Sequence, residues 1–114
     1  MTITREQVID HAMWLHGKGG KRLEVDELED YVFREDNLMG ASFSEGTFSN
    51  CYFVAGGFRA ASFYGSEFRE CVFTGDIEIT GADFTYSKFY DCRIDSVLLS
   101  KLKKAELFSD CEFY

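Results

Sequence analysis

The chain has 114 residues, 46% of them hydrophobic and 17% aromatic, with 12 phenylalanines, four cysteines, no proline and a net charge of −8. That size suits one domain with its own core. The acidity disfavours nucleic acid, anionic membranes and acidic substrates as partners and leaves basic ones, although such a balance also serves plain solubility.

No apolar run approaches the roughly 18 residues of a membrane span. The opening MTITREQVIDHAMW has no basic-then-apolar signal pattern. The expectation is a cytoplasmic chain with reduced thiols. Charge is uneven along it. In residues 1–23, Arg5, Lys18, Lys21 and Arg22 outweigh Glu6 and Asp10. In residues 24–36, Glu24, Asp26, Glu27, Glu29, Asp30, Glu35 and Asp36 face only Arg34.

Residues 4–16 read as a short helix. Thr4 and Gln7 have capping-box spacing, and Val8, Ala12 and Leu15 form its apolar stripe, broadened by Met13 and Trp14. Gly17, Gly19 and Gly20 end it, since glycine suits the left-handed turn after a helix. GKGGKR lacks the spacing and preceding strand of a phosphate loop. His11 and His16 have no partner pattern, so surface or packing roles are expected for both.

A five-residue beat follows, faint at Leu23, Leu28, Phe33 and Leu38. Residues 24–34 are either a degenerate coil or a helix, because Leu28 and Val32 are four apart. From residue 41 the beat is strict: Phe43, Phe48, Phe53, Phe58, Phe63, Phe68 and Phe73. Two positions before each stands a small residue: Ala41, Gly46, Cys51, Gly56, Ala61, Ser66 and Cys71. This period matches neither helix nor strand, so it is a repeat. It slips by one extra residue in TGDIEIT, resumes at Ile79, Phe84, Phe89, Ile94 and Leu99, and loses one residue within 97–106, before Phe108 and Phe113.

Cys51, Cys71, Cys92 and Cys111 show the longer period, four units per structural repeat, with the insertion and deletion accounting for its irregularity. A coil with four five-residue sides follows. The Phe and the preceding small residue point inward, and the other positions face out. Coils stack at about 4.8 Å by backbone pairing, and none is stable alone.

The units ASFSE, CYFVA, ASFYG, CVFTG and ADFTY resemble the motif of the pentapeptide repeat family: a small residue, a polar one, Leu or Phe, then two polar or small residues. The resemblance is strong over 38–114 and weak over 21–37. The lead-in HAMWLHGKGGKR is similar to segments that precede the repeats in some bacterial and phage members. It implies an all-β solenoid, a right-handed quadrilateral β-helix of about four to five coils. Residues 1–20 would be its helical cap and 21–114 the β-helix, regular from about 38. Members share no single activity, so function must be sought on the surface.

Stacked cysteines would fall within the disulfide Cα window of about 4.4–6.8 Å, yet a buried thiol packs as a small hydrophobe. Without CxxC spacing zinc is not expected. No nucleophile elbow, HExxH or paired carboxylate appears, and a filled coil leaves no central cavity. The expectation is a non-enzyme with no catalytic residue, cofactor or metal.

Asn50, Glu70, Asp91 and Asp110 follow the second Phe column by two residues and would line one corner. Together with Glu24, Asp26, Glu27, Glu29, Asp30 and Glu67 they form the expected acidic partner-binding surface. The family's rods that protect or inhibit DNA gyrase carry acidic surfaces that imitate duplex phosphates. The resemblance therefore implies a DNA mimic that binds no nucleic acid itself. It would occupy the basic DNA groove of a gyrase-like topoisomerase, a host-defence nuclease or a restriction enzyme. The alternative is an interaction scaffold reading Tyr52, Tyr64, Tyr86 and Tyr90. An uncapped last coil predicts a homodimer through Phe108, Phe113 and Tyr114.

Overall fold

The computed structural model describes residues 2–114. Helix α1 (Arg5–Leu15) precedes twelve short strands: β1 (Glu27–Glu29), β2 (Val32–Phe33), β3 (Thr47–Ser49), β4 (Tyr52–Phe53), β5 (Gly56–Gly57), β6 (Glu67–Arg69), β7 (Val72–Phe73), β8 (Ile77–Glu78), β9 (Lys88–Tyr90), β10 (Arg93–Ile94), β11 (Leu107–Ser109) and β12 (Glu112–Phe113). A 3₁₀ helix (Ser96–Lys101) lies between β10 and β11.

All strand pairs are parallel and join equivalent positions of successive coils. One side stacks β1, β3, β6, β9 and β11; the next stacks β2, β4, β7, β10 and β12; the third pairs β5 with β8. The fourth is held by bridges from Glu24 to Ser42, Ser42 to Ser62 and Ser62 to Asp83. The result is a β-solenoid of about four turns with one short helix at its N-terminus, measuring 42 × 26 × 23 Å.

The irregular cysteine spacing is the register itself. Arg93 pairs with Val72 on one side and Glu112 on the other, so the extra residue before Ile77 and the missing one after Ile94 leave the sheets continuous. Three corners turn through the left-handed region. Asp30, Asn50, Glu70, Asp91 and Asp110 have φ of 52–55°, while Gly40, Ala60 and Gly81, and Glu45, Gly65 and Tyr86, form the other two columns.

Phenyl ladders fill the interior. Phe33, Phe53 and Phe73 stack at 4.5 and 4.4 Å between ring centroids. Phe43, Phe63 and Phe84 stack at 4.8 and 4.7 Å, and Phe48, Phe68 and Phe89 at 5.3 and 4.8 Å. Rings of neighbouring ladders meet edge to face, as Phe68 and Phe73 do at 5.2 Å. Both arrangements suit the ring quadrupole.

Residues 24–34 form a coil, not a helix, because β1 and β2 pair with β3 and β4. Its beat is displaced: Glu24 opposite Ser42 puts Leu23 in the column of Ala41 and Val25 in that of Phe43. The first coil reaches Leu28 two residues sooner than later coils do. Leu99 also departs from the expectation. It is exposed, and Leu98 within the 3₁₀ helix and Leu102 at its C-cap are buried instead, because the 3₁₀ helix, opened by Asp95 accepting from Val97 N–H at 3.0 Å, replaces the extended side whose five-residue spacing would turn Leu99 inward.

The cap begins with the expected capping box. Gln7 N–H donates to Thr4 Oγ1 at 3.2 Å and Thr4 N–H to Gln7 Oε1 at 2.8 Å. Its inward face differs from the expected stripe. His11 is fully buried, with Val8 and Leu15 half-buried, while Ala12, Met13 and Trp14 face out. His11 earns the inward place by its bonds. Leu23 N–H donates to Nδ1 at 2.9 Å, and Nε2–H donates to the Met39 carbonyl at 2.8 Å. Helix and first coil are thereby clamped. Gly20 (φ 74°) closes the lead-in where a Cβ would collide with the Asp10 carbonyl.

Burial, with a smaller push from Arg22, lowers the His11 pKa against the opposing pull of the Met39 bond. A protonated Nδ1 cannot accept from Leu23. The clamp is therefore at full strength above the unfolded-chain value of about 6.5 and is lost as pH falls through the lower folded value. Acid titration of the fluorescence of Trp14, the single tryptophan, should show a step below about pH 6.5 that His11→Gln flattens. A step unchanged in that variant would place the transition elsewhere.

Candidate functional site

The in-register sheets decide which charges share a line. Glu29, Ser49, Arg69, Tyr90 and Ser109 are paired neighbours on one side, so the residues after them form the adjoining corner column: Asp30, Asn50, Glu70, Asp91 and Asp110. All five are exposed. Each of the first four donates its backbone N–H to the next coil, at 3.0, 2.8, 2.9 and 2.9 Å. The side chains rise by one rung of about 4.8 Å. Asn50 separates two carboxylates and donates Nδ2–H to Asp30 Oδ1 at 2.6 Å.

Backbone geometry alone favours Asp and Asn at these left-handed positions. Glu70 has no such reason, and its carboxylate keeps the column acidic at mid-rod. Five ion pairs are present among the described residues: Arg5–Asp36, Arg22–Glu24, Arg69–Glu67, Lys88–Glu106 and Arg93–Glu112, at 2.9–3.7 Å. None takes a carboxylate of the corner column. Arg69 lies beside Glu70 in sequence, yet its guanidinium sits over the Tyr90 ring at 4.1 Å.

The other expected acidic residues are spread differently. Glu27 and Glu67 share an outward column with Thr47 and Lys88, and Glu29 begins the column of Arg69. The acidic wall beside the corner is thus strongest at the N-terminal end, where Asp26, Glu27, Glu29 and Asp30 lie together. Glu24 is on the preceding side, tied to Arg22 at 3.0 Å. The basic residues Arg59, Lys101, Lys103 and Lys104 lie across the rod, where Lys101 Nζ reaches Thr80 Oγ1 at 3.3 Å.

A second acidic feature escaped the sequence reading. Glu35, Asp36, Asp76 and Glu78 line an open groove of about 420 Å³ over Gly56 and Gly57. The inserted residue in TGDIEIT carries Asp76 to its rim, a position that no five-residue count assigns. The Glu78 carboxyl is held low chiefly by Thr80, and that of Asp83 by Thr85, whose Oγ1–H and N–H donate to Oδ1 at 2.6 and 3.0 Å.

The tyrosines are dispersed. Tyr52 stands on the outer face of β4, whereas Tyr64 and Tyr86 meet edge to face at 5.5 Å on another side. Tyr90 is half-buried under Arg69. At the far end, Phe108 is half-buried, and Phe113 and Tyr114 are exposed. Strands β11 and β12 are each the outermost strand of their sheet. The four thiols are free, and among the described residues no group of three or more His, Cys, Asp or Glu could hold a metal ion. No described helix is long and apolar enough to cross a membrane.

Stacked like charges oppose each other across a sheet. Asp91→Asn, which keeps the left-handed turn, should raise stability by about 0.5 kcal/mol at low salt, with the gain vanishing in concentrated salt. Thermal melts at two salt concentrations measure this; a loss of stability would mean that the column is built for folding.

Two profiles, both described as pentapeptide repeats, match residues 37–75 and 58–101. Among solved structures, a trypsin-treated variant of QnrB1, a plasmid-mediated fluoroquinolone resistance protein, aligns at 12% identity and a TM-score of 0.47 over 80% of this chain. The chain spans 49% of that protein. No curated protein matches it.

Proposed function

The chain belongs to the pentapeptide repeat family, and we propose that it is a non-enzymatic rod that occupies the basic DNA groove of a DNA-processing enzyme in place of a duplex. One observation carries this reading. The corner carboxylates of Asp30, Glu70, Asp91 and Asp110 are stacked, exposed and free of ion pairs, while neighbouring arginines and lysines are engaged elsewhere. Such a column offers a basic groove what a phosphate strand offers, namely closely spaced negative charge whose binding releases counterions. The N-terminal carboxylates Asp26, Glu27 and Glu29 widen it. A scaffold read through its tyrosines has less support, because Tyr52 and the Tyr64–Tyr86 pair face different directions.

The test is displacement of labelled duplex from purified DNA gyrase and from a panel of restriction nucleases. At least one should release its DNA at 50 mM salt. With about four contacts, the affinity should fall about 100-fold by 200 mM. The combined variant Asp30→Asn, Glu70→Gln, Asp91→Asn, Asp110→Asn should release none. A variant as effective as the parent, or a parent that displaces nothing, overturns the reading.

We also propose that two copies meet end to end through the last coil. The open edges of β11 and β12 would extend both sheets, with Phe108, Phe113 and Tyr114 covered. Sedimentation at micromolar concentration should give a dimer that Phe113→Glu converts to monomer. A monomeric parent refutes it.

A further inference from the structure

Cys51, Cys71, Cys92 and Cys111 form one inward column. Strand pairing sets Cys92 opposite both Cys71 and Cys111, since Arg93 pairs with Val72 and Glu112. Each thiol lies against two carbonyl oxygens, either of which can accept its one proton. Cys92 Sγ reaches the Phe68 and Tyr90 oxygens at 3.4 Å each, and Cys111 Sγ reaches those of Phe89 and Ser109 at 3.4 and 3.6 Å. The equivalent carbonyls are taken by Cys51 and Cys71 as well, from the preceding coil and from two residues back. The ladder is therefore a line of thiols oriented alike, one per rung of the sheet, the rungs about 4.8 Å apart.

We propose that the Cys92–Cys111 rung binds one soft, two-coordinate metal ion, with mercuric ion as the probe, between collinear thiolates. Two collinear metal–thiolate bonds of the length known for zinc, about 2.3 Å each, span about 4.6 Å, close to one rung. Side chains stand roughly perpendicular to the sheet, so the ion would approach each sulfur across its Cβ–Sγ bond, the direction in which sulfur takes a second bond. The ladder supplies two donors at a time and no third. That geometry fails the four-coordinate demand of zinc and suits thiophilic ions content with two sulfurs.

Charge and access select the rung. Two thiols lose their protons to solvent, two metal–sulfur bonds form, and the chloride ligands of the mercuric ion leave. No electrons change hands. A divalent ion with two thiolates is neutral, which suits an interior that penalises unpaired charge. Cys51, Cys71 and Cys92 are buried, and Cys111 alone, in the last coil, is half-buried. Burial raises its pKa, so the ion must displace the proton, as metals do at thiols.

The test is mercuric chloride titration of the reduced, folded chain at submicromolar concentration against glutathione, followed by ultraviolet mercury–thiolate absorption and a count of remaining free thiols. One equivalent should remove two thiols from the count. Cys92→Ala and Cys111→Ala should each cut the glutathione needed to strip half the ion by about 100-fold, the loss of a tethered second donor. Cys51→Ala should leave it unchanged, and excess zinc should not compete. Melting curves establish that the variants are folded; if Cys92→Ala is not, Cys111→Ala alone decides. Loss of a single thiol per ion, an unaffected Cys111→Ala, uptake only after denaturation, or displacement by zinc would each overturn the site.

Discussion

Everything in this rod depends on parallel in-register pairing that stacks like on like. Backbone bonds hold successive coils about 4.8 Å apart, and phenyl rings stack within the same spacing, at 4.4–5.3 Å between equivalent residues. The two repeats reinforce each other, because a ring that fits its own column also fits the one above. No coil can bury its rings alone. The interior is consequently filled by side chains, and contact with large partners is left to the outward columns, the corners and the ends.

That constraint also turns single residues into lines. A carboxylate at a left-handed corner becomes a column of carboxylates, and a small inward thiol becomes a ladder of thiols. Stacking like charges costs stability, which the aromatic core offsets. Stacking thiols costs little, since a buried Cys packs as a small apolar group. The corner and the cysteine ladder thus share one origin in the repeat, with opposite exposure: one is open to a macromolecular partner, the other only to something as small as an ion.

The places where the repeat breaks shape the surface. The inserted residue before Ile77 keeps both large sheets in register and swings Asp76 into a groove. The missing residue is absorbed by the 3₁₀ helix, which replaces a strand and buries Leu98 and Leu102. At the other end His11 clamps the cap through two backbone bonds, where a polyvaline or polyleucine stripe could satisfy neither the Leu23 N–H nor the Met39 carbonyl.

Periodicity alone determined the coil, its four sides, the inward Phe and Cys columns and the stacking of Asn50, Glu70, Asp91 and Asp110, because a five-residue unit with a fixed inward centre leaves one geometry; that Asp30 joins the column followed only from the pairing of Glu29 with Ser49. Tertiary structure decided what periodicity does not encode. Val25 took the inward place that the beat assigned to Leu23, since a coil closes by pairing with its neighbour and not by counting. Leu98 replaced Leu99, since a 3₁₀ turn has its own period. His11 went inside, since its partners lie 12 and 28 residues away. The corner carboxylates were left without ion pairs because side-chain direction, not sequence distance, sent Arg69 to Tyr90 instead of Glu70.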